Sequence, residues 1–247
     1  MAAPFSAVQN MNRYGNLRNH EARTFHDLLN AASLVVLDFD GVIADSEVIS
    51  LSTLQTSLHD FGIQLTLDEA RAAFLGTSLK TILSYVRAHG TGDMERFAEH
   101  WEHRLFDQFR VALAPVASVL DLLETLNISG VPYCIASSGT FRRIRIALDA
   151  MKLTNRFKHI YSSEQVVRGK PAPDLFELAA RDMGSAAKAC LVIEDSPYGV
   201  RAAKTAGMRC VGFTGGQHLN DLKSEHGSLL LEEGADMVLS SYDQLAL

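Results

Sequence analysis

A chain of 247 residues, 47% of them hydrophobic and 21% charged, carries enough apolar material for a packed core, and its length admits one domain or a domain with an insertion. Its 23 Lys and Arg stand against 29 Asp and Glu, a formal net charge of -6, so no overall basic field exists to hold nucleic acid or an anionic membrane, and any anionic ligand must be gripped locally. No apolar stretch approaches the ~18 residues of a bilayer span, and the N-terminal region lacks the unbroken apolar segment of a secretory signal, which leaves the cytoplasm as the expected location and a monomer as the default state.

Residues 1–32 read as an N-terminal extension, a loose tail leading into a short helix near Glu21 to Leu29; Glu21 and Asp27 among its arginines argue against a transit-like leader. Leu34 to Leu37 then opens a series of short apolar runs that continues at Tyr133–Ala136, Ile160–Tyr161, Cys190–Ile193 and Cys210–Phe213. Runs such as LVVL and CLVI are apolar without alternation, as a strand covered on both faces must be. With helical patterns between most of them, they predict an α/β core, a doubly wound parallel sheet.

From Asp45 to about Ala114 this rhythm breaks. Amphipathic segments at Leu51–Phe61, Leu67–Phe74, Leu79–Ala88 and Met94–Val111 follow one another without a convincing strand, and predict an inserted all-helical bundle with Trp101 in its core. His100 and His103 could meet on one helical face, but no third metal ligand accompanies them. Beyond the bundle, Ile144, Ala147, Leu148 and Met151 recur at helical spacing, with Arg142, Arg143 and Arg145 read as a solvated face. A further helix is expected to start at Lys170-Pro171-Ala172-Pro173-Asp174, to bury Phe176, Leu178 and Ala179, and to end at Gly184. Cys134, Cys190 and Cys210 lie inside apolar runs without CxxC spacing and read as buried free thiols.

The chemistry gathers at the ends of the strand-like runs. Asp38-Phe39-Asp40-Gly41 directly follows LVVL, and in an open parallel sheet ligands bind beyond the carboxyl ends of the strands. Two carboxylates that close repel each other. A cation resolves the repulsion, and a hard, oxygen-ligated ion such as Mg²⁺ suits them better than zinc. Ser137-Ser138-Gly139 follows YCIA and offers a hydroxyl and flexible backbone N–H groups to cradle phosphate oxygens. Lys170 stands where a cation can neutralise both phosphate and nucleophile, and Glu194-Asp195-Ser196 after CLVI supplies a second acidic pair to complete a metal shell.

The order DFDGVIADSE, IASSG, GKPAPDLF and IEDSPYGVRAAKTAGM resembles the four motifs of the haloacid dehalogenase superfamily, in the branch with a helical cap inserted after the first motif. The resemblance implies a Rossmann-like core at 33–45 and 115–247 with a mobile cap at 46–114. Carried over residue by residue, it makes Asp38 the nucleophile, Asp40 the acid and base, and Ser137 and Lys170 the phosphate holders, with Ser138 and Gly139 beside them. Asp38, the backbone carbonyl of Asp40, Glu194 and Asp195 would gather magnesium. In the cap, the polar loop Gly76-Thr77-Ser78-Leu79-Lys80 stands where relatives send residues down to the site, which makes Thr77, Ser78 and Lys80 candidate substrate contacts; an ordinary interhelical turn is the alternative.

Within that branch the chain looks most like sugar-phosphate phosphatases, through Glu47-Val48-Ile49 and His59-Asp60-Phe61-Gly62-Ile63, and next like β-phosphoglucomutases. The expected activity is therefore hydrolysis of a small phosphorylated metabolite, a sugar or sugar-acid phosphate, through an aspartyl-phosphate. Asp40 fits neither dehalogenases nor ion-pumping ATPases, which by resemblance lack an acid there. A mutase would carry a histidine and an arginine where Ser50 and Leu79 stand, and a phospho-acceptor signalling module would be shorter and lack the helical insertion. Two departures from the family pattern stand out: no glycine in Pro115-Val116-Ala117-Ser118, and Gly139 where many relatives carry Ser or Asn.

Overall fold

The structure, a computed structural model, describes residues 21–74, 79–90, 93–243 and 245. Six strands, β1 (Leu34–Leu37), β2 (Tyr133–Ser137), β3 (Ile160–Ser162), β4 (Cys190–Glu194), β5 (Arg209–Phe213) and β6 (Met237–Leu239), form one sheet in the order β3-β2-β1-β4-β5-β6. Every neighbouring pair is parallel. Leu37 pairs with both Ile135 and Ile193, so the ends of β2, β1 and β4 stand side by side at the carboxyl edge. The chain reverses its direction of travel across the sheet on either side of β1, and that is where a crevice opens in such folds.

Helices cover both faces. Residues 21–30 are helical and are termed α1. With α6 (Val119–Ser129) and α7 (Phe141–Ala150) it packs on the face that carries Val35 and Leu37; α8 (Asp174–Asp182), α9 (Pro197–Thr205) and α10 (Lys223–Glu232) pack on the face of Leu34 and Val36. Burial on both sides is the physical reason β1 and β4 are continuously apolar. Cys134, Cys190 and Cys210 are free and buried in the second layer, where apolar surroundings push their thiols up and keep them protonated.

Between β1 and β2 lie four further helices: α2 (Glu47–Asp60), α3 (Leu67–Phe74), α4 (Leu79–His89) and α5 (Met94–Ala112). They share their own apolar cluster, which includes Leu58, Phe74, Val86 and Phe97, with Trp101 half-buried against it and donating to Thr53 Oγ1 at 3.2 Å. The two chain crossings into this bundle touch: Asp45 N–H donates to Ala114 O at 3.0 Å and Val116 N–H to Ile43 O at 2.8 Å. Ser118, in the segment where the sequence lacks the family's glycine, adopts a left-handed φ of 57° and donates its hydroxyl to Asp243.

Several expectations need correction. The α8 helix opens at Asp174, four residues after Lys170, because Lys170 to Pro173 form turns; Leu178 is only partly buried, and Leu175 takes a core position beside Phe176 and Ala179. α2 starts at Glu47, ahead of the expected Leu51. β6, too short for a periodicity to register, was not anticipated. His100 pairs with Asp60 at 2.8 Å, next to Arg104, instead of serving a metal with His103. No helix among the described residues is long and apolar enough to cross a membrane.

Phe25 and Leu29 of α1 are fully buried in the main core. Phe25→Ala should therefore cost about 3–5 kcal/mol in urea unfolding; a loss within ~0.5 kcal/mol would mean that α1 is a dispensable appendage.

Candidate active site

The carboxyl ends of β1 and β4 deliver the acidic residues. Asp38 N–H donates to Ile193 O at 3.0 Å, extending the ladder by one residue and setting the Asp38 side chain beside Glu194 and Asp195. Ligand oxygens of these three buried carboxylates lie within 4.8 Å of one another. Lys170 reaches them from the turn before α8: its Nζ donates to Asp38 Oδ1 at 2.5 Å, Glu194 Oε2 at 2.7 Å and Ala136 O at 3.1 Å. The Lys170 side chain is 5% exposed. Burial alone would discharge it, but Asp38 and Glu194 outweigh burial and hold the ammonium above its ordinary value. Asp38 and Asp195 are pushed up, first by burial and then by the charge of Glu194.

Three carboxylates thus face one ammonium, with an excess of negative charge and only oxygen donors. That donor set fits a hard divalent cation. Glu194 is held on its other side by Ser196, whose N–H and hydroxyl both donate to Oε1 at 3.0 and 2.9 Å. His218 Nε2 lies 3.3 Å from Asp195 Oδ2, and His226 Nε2 lies 2.6 Å from the Asp195 carbonyl.

Two glycines clear the space for these carboxylates. Gly41, at φ 75°, turns the chain away from the site, and a Cβ there would fall 1.9 Å from Asp195 Oδ2. A Cβ on Gly199 would fall 2.0 Å from the carboxylate of Glu194.

The phosphate-cradle candidates lie across the crevice. Ser137 is buried at the end of β2, and its Oγ accepts the Gly139 N–H at 3.0 Å. Ser138 is exposed, with its carbonyl taken by Ser163 Oγ, and Gly139 O accepts from Ser162 Oγ, so the loop is tied to β3 just ahead of the α7 N-terminus. Asp40 stands apart from the metal cluster. Its Oδ1 accepts from Ser46 Oγ and from Arg143 Nη2, the latter at 2.8 Å. Thr77 and Ser78 lie outside the described residues; Lys80 belongs to α4, and its side chain too is outside them.

Residues 35–213 match the family of haloacid dehalogenase-like hydrolases. The chain belongs to that family. As a haloacid dehalogenase-like hydrolase it is 28% identical to the 6-phosphogluconate phosphatase of Escherichia coli (strain K12) over 190 residues, 74% of this chain and 83% of the relative. It is 31% identical over 188 residues to "(DL)-glycerol-3-phosphatase 2" of Arabidopsis thaliana, 72% of this chain and 77% of the relative. A crystal structure of a hydrolase of the family from Deinococcus radiodurans R1, with bound phosphate and sodium, superposes with a TM-score of 0.70 at 30% identity, covering 87% of this chain and 93% of that one. This hydrolase is a phosphatase, metal-dependent like its family at large.

Sequence reasoning missed three residues that this hydrolase brings to the same crevice. Arg143, read as part of a solvated face, has a side chain only 17% exposed because its guanidinium turns inward to Asp40; Arg142 and Arg145 do stay at the surface. The signal was available, since Arg143 lies one helical turn before Ala147, at the edge of the buried stripe. Glu47, at the start of α2, is pushed up to about 7 by burial and then by the charge of Asp40, opposed by Arg143. His218 belongs to a short turn after β5 whose carbonyl accepts from Arg71 of α3 at 2.6 Å, and burial pulls its imidazole down. No local motif marks it.

Replacing a helical glycine by alanine ordinarily stabilises a helix interior by ~1 kcal/mol, but at Gly199 the new methyl collides with Glu194. Gly199→Ala should lower the melting temperature and, by displacing Glu194 from Lys170, lower activity as well. A raised melting temperature with full activity would show that Glu194 is free to move aside.

Proposed function

We propose that the enzyme is a magnesium-dependent phosphomonoesterase acting on a small phosphorylated metabolite, a sugar or sugar-acid phosphate, with Asp38 as nucleophile and Asp40 as acid and base. The observation that carries this reading is the buried Lys170 bound to both Asp38 and Glu194 at the point where the strand order reverses, between β1 and β4. A phosphate monoester dianion repels an anionic nucleophile, so the site must supply positive charge where attack occurs. Asp38, the carbonyl of Asp40, Asp195 and Glu194 would hold Mg²⁺, which supplies the remaining positive charge when bound.

In the first half-reaction an Asp38 oxygen bonds to phosphorus as the bond to the leaving oxygen breaks, and Asp40 gives that oxygen a proton. In the second, Asp40 takes a proton from the water that attacks phosphorus, and the bond to Asp38 breaks to release phosphate. Lys170 steadies Asp38 and the phosphoryl charge throughout, while Ser137 and the backbone of Ser138 and Gly139 at the head of α7 take phosphoryl oxygens. Residues 46–114 act as the cap. They cover the leaving group and exclude bulk water, with Thr77, Ser78 and Lys80 as candidate substrate contacts.

The relatives that act on 6-phosphogluconate and glycerol 3-phosphate support a polyol ester as substrate. Ser50, where a mutase would place a cation, is neutral, and its hydroxyl accepts from Arg143 at 3.0 Å. The net charge of -6 argues against a nucleic-acid or anionic-membrane partner; a monomeric cytoplasmic enzyme is the default reading.

Asp38→Asn should abolish phosphate release while leaving the circular dichroism spectrum unchanged. Activity within tenfold of wild type would refute the nucleophile. Asp40→Asn should impair alkyl phosphates far more than p-nitrophenyl phosphate, whose leaving group needs little protonation. Chelation should silence the wild-type enzyme and Mg²⁺ restore it; full turnover of chelated protein would exclude the cation.

A further inference from the structure

Arg143 has no part in the reaction as described so far, yet its surroundings are built. It extends from α7 on the core into the seam beneath the helical insertion. One nitrogen, Nη2, donates to Asp40 Oδ1 at 2.8 Å and to Ser50 Oγ of α2 at 3.0 Å. Its guanidinium carbon lies 5.3 Å from the ring centroid of Phe109, a fully buried residue of α5. The arginine therefore touches the acid/base residue and both helices through which the chain enters and leaves the insertion.

The contacts are fixed from behind. Ser50 Oγ donates to Ser46 O at 2.8 Å, which leaves its lone pairs for Arg143, and Ser46 Oγ in turn donates to Asp40 Oδ1. Arg143 Nε is buried without a hydrogen-bond partner among the described residues. An unmet buried donor is unfavourable, so the guanidinium is held here by its other contacts and not by Nε. Gly139 leaves room for the arm: a Cβ there would lie 3.3 Å from Ser137 Oγ and 3.4 Å from Arg143 Cδ.

We propose that Arg143 is a positioning residue for the reaction, clamping Asp40 through Oδ1 in an arrangement complete only while α2 and α5 are seated on α7. Two donors converge on Oδ1, so the other oxygen, Oδ2, is the one that exchanges the proton with leaving group and water. An arginine suits this task because a planar guanidinium holds a carboxylate, a hydroxyl and a ring face in one fixed geometry, which a lysine ammonium does not. The inference rests on the assignment of Asp40 as acid and base. It adds that the precision of proton transfer is set from the core helix and released when the insertion lifts.

The test compares Arg143→Met, Arg143→Lys and Ser50→Ala, alone and combined with Asp40→Asn, on an alkyl sugar phosphate and on p-nitrophenyl phosphate. Misplacing a reacting group by about 1 Å costs up to roughly 100-fold, so Arg143→Met should lower kcat for the alkyl ester by roughly 10–100-fold, with little change in KM. The loss on p-nitrophenyl phosphate should be less than about threefold. Arg143→Lys should restore part of the loss, and Ser50→Ala, which removes only the α2 side of the clamp and keeps every core charge, should show the same leaving-group bias at smaller size. In the Asp40→Asn background none of the three should change either rate more than about twofold, because groups that act as a unit are not additive.

Equal losses on both esters, or losses that persist undiminished in the Asp40→Asn background, would reduce Arg143 to a structural residue and overturn the proposal. Should Arg143→Met not fold, Ser50→Ala and Arg143→Lys decide the matter by the same ratio. Loss of leaving-group bias in Asp40→Asn alone would overturn the acid role of Asp40 and this inference with it. That outcome is read in a different variant from the failure of the clamp.

Discussion

The molecule is organised around one buried ammonium. Lys170 compensates Asp38 and Glu194 at hydrogen-bonding distance in a place where an isolated charge would be prohibitively costly. Ion pairs of this kind are poor sources of stability, since desolvation consumes most of the Coulombic gain. The scaffold supplies the balance. Strand register brings Asp38 level with Glu194, the turn before α8 brings the lysine, and the absence of side chains at Gly41 and Gly199 lets the carboxylates approach. The raised Asp38 and Asp195 show that the compensation is incomplete. A site left short of positive charge is suited to bind a cation together with a phosphoryl group.

The same economy separates two tasks along the chain. Nearly everything that would grip phosphate, namely Ser137, Gly139, Lys170 and the acidic cluster, comes from the ends of parallel strands and the turns that follow them, which are rigid because both sheet faces are packed. In the proposed reaction the groups that meet the leaving group lie at the seam with the helical insertion, where Asp40, Ser50 and Arg143 come together. Its two connections cross as adjacent backbone segments at Ile43–Asp45 and 114–116, hydrogen-bonded to each other, so the insertion enters and leaves the core at one place. Relatives with different phosphorylated substrates are what such a division permits.

How much of this the sequence discloses follows from the range of each interaction. Asp38 and Asp195 stand immediately after apolar runs, so a short window holds both the strand and the group at its end. The helical insertion was likewise legible, because α3, α4 and α5 each carry their own periodicity; α2, whose buried face includes Ser50, Thr53 and Ser57, announces itself less sharply. Arg143 was misjudged because its partner is 103 positions away, and from α7 alone an arginine at the edge of an apolar stripe looks like an ordinary boundary residue. His218 was invisible for a related reason: it sits in a three-residue turn without pattern, and only the packing of that turn against Asp195 and Arg71 gives it a place. β6 escaped because three residues are shorter than any period that could announce them.

The two departures from the family pattern acquire different meanings in three dimensions. At 118 the backbone keeps the left-handed conformation although serine costs more there than glycine would. The Ser118 hydroxyl recovers part of that cost by bonding Asp243. At 139 the change runs the other way: removal of a side chain creates room, and the Arg143 stem occupies the place next to it. Gly139 and Arg143 are thus close neighbours in space, four residues apart on the loop and first turn of α7.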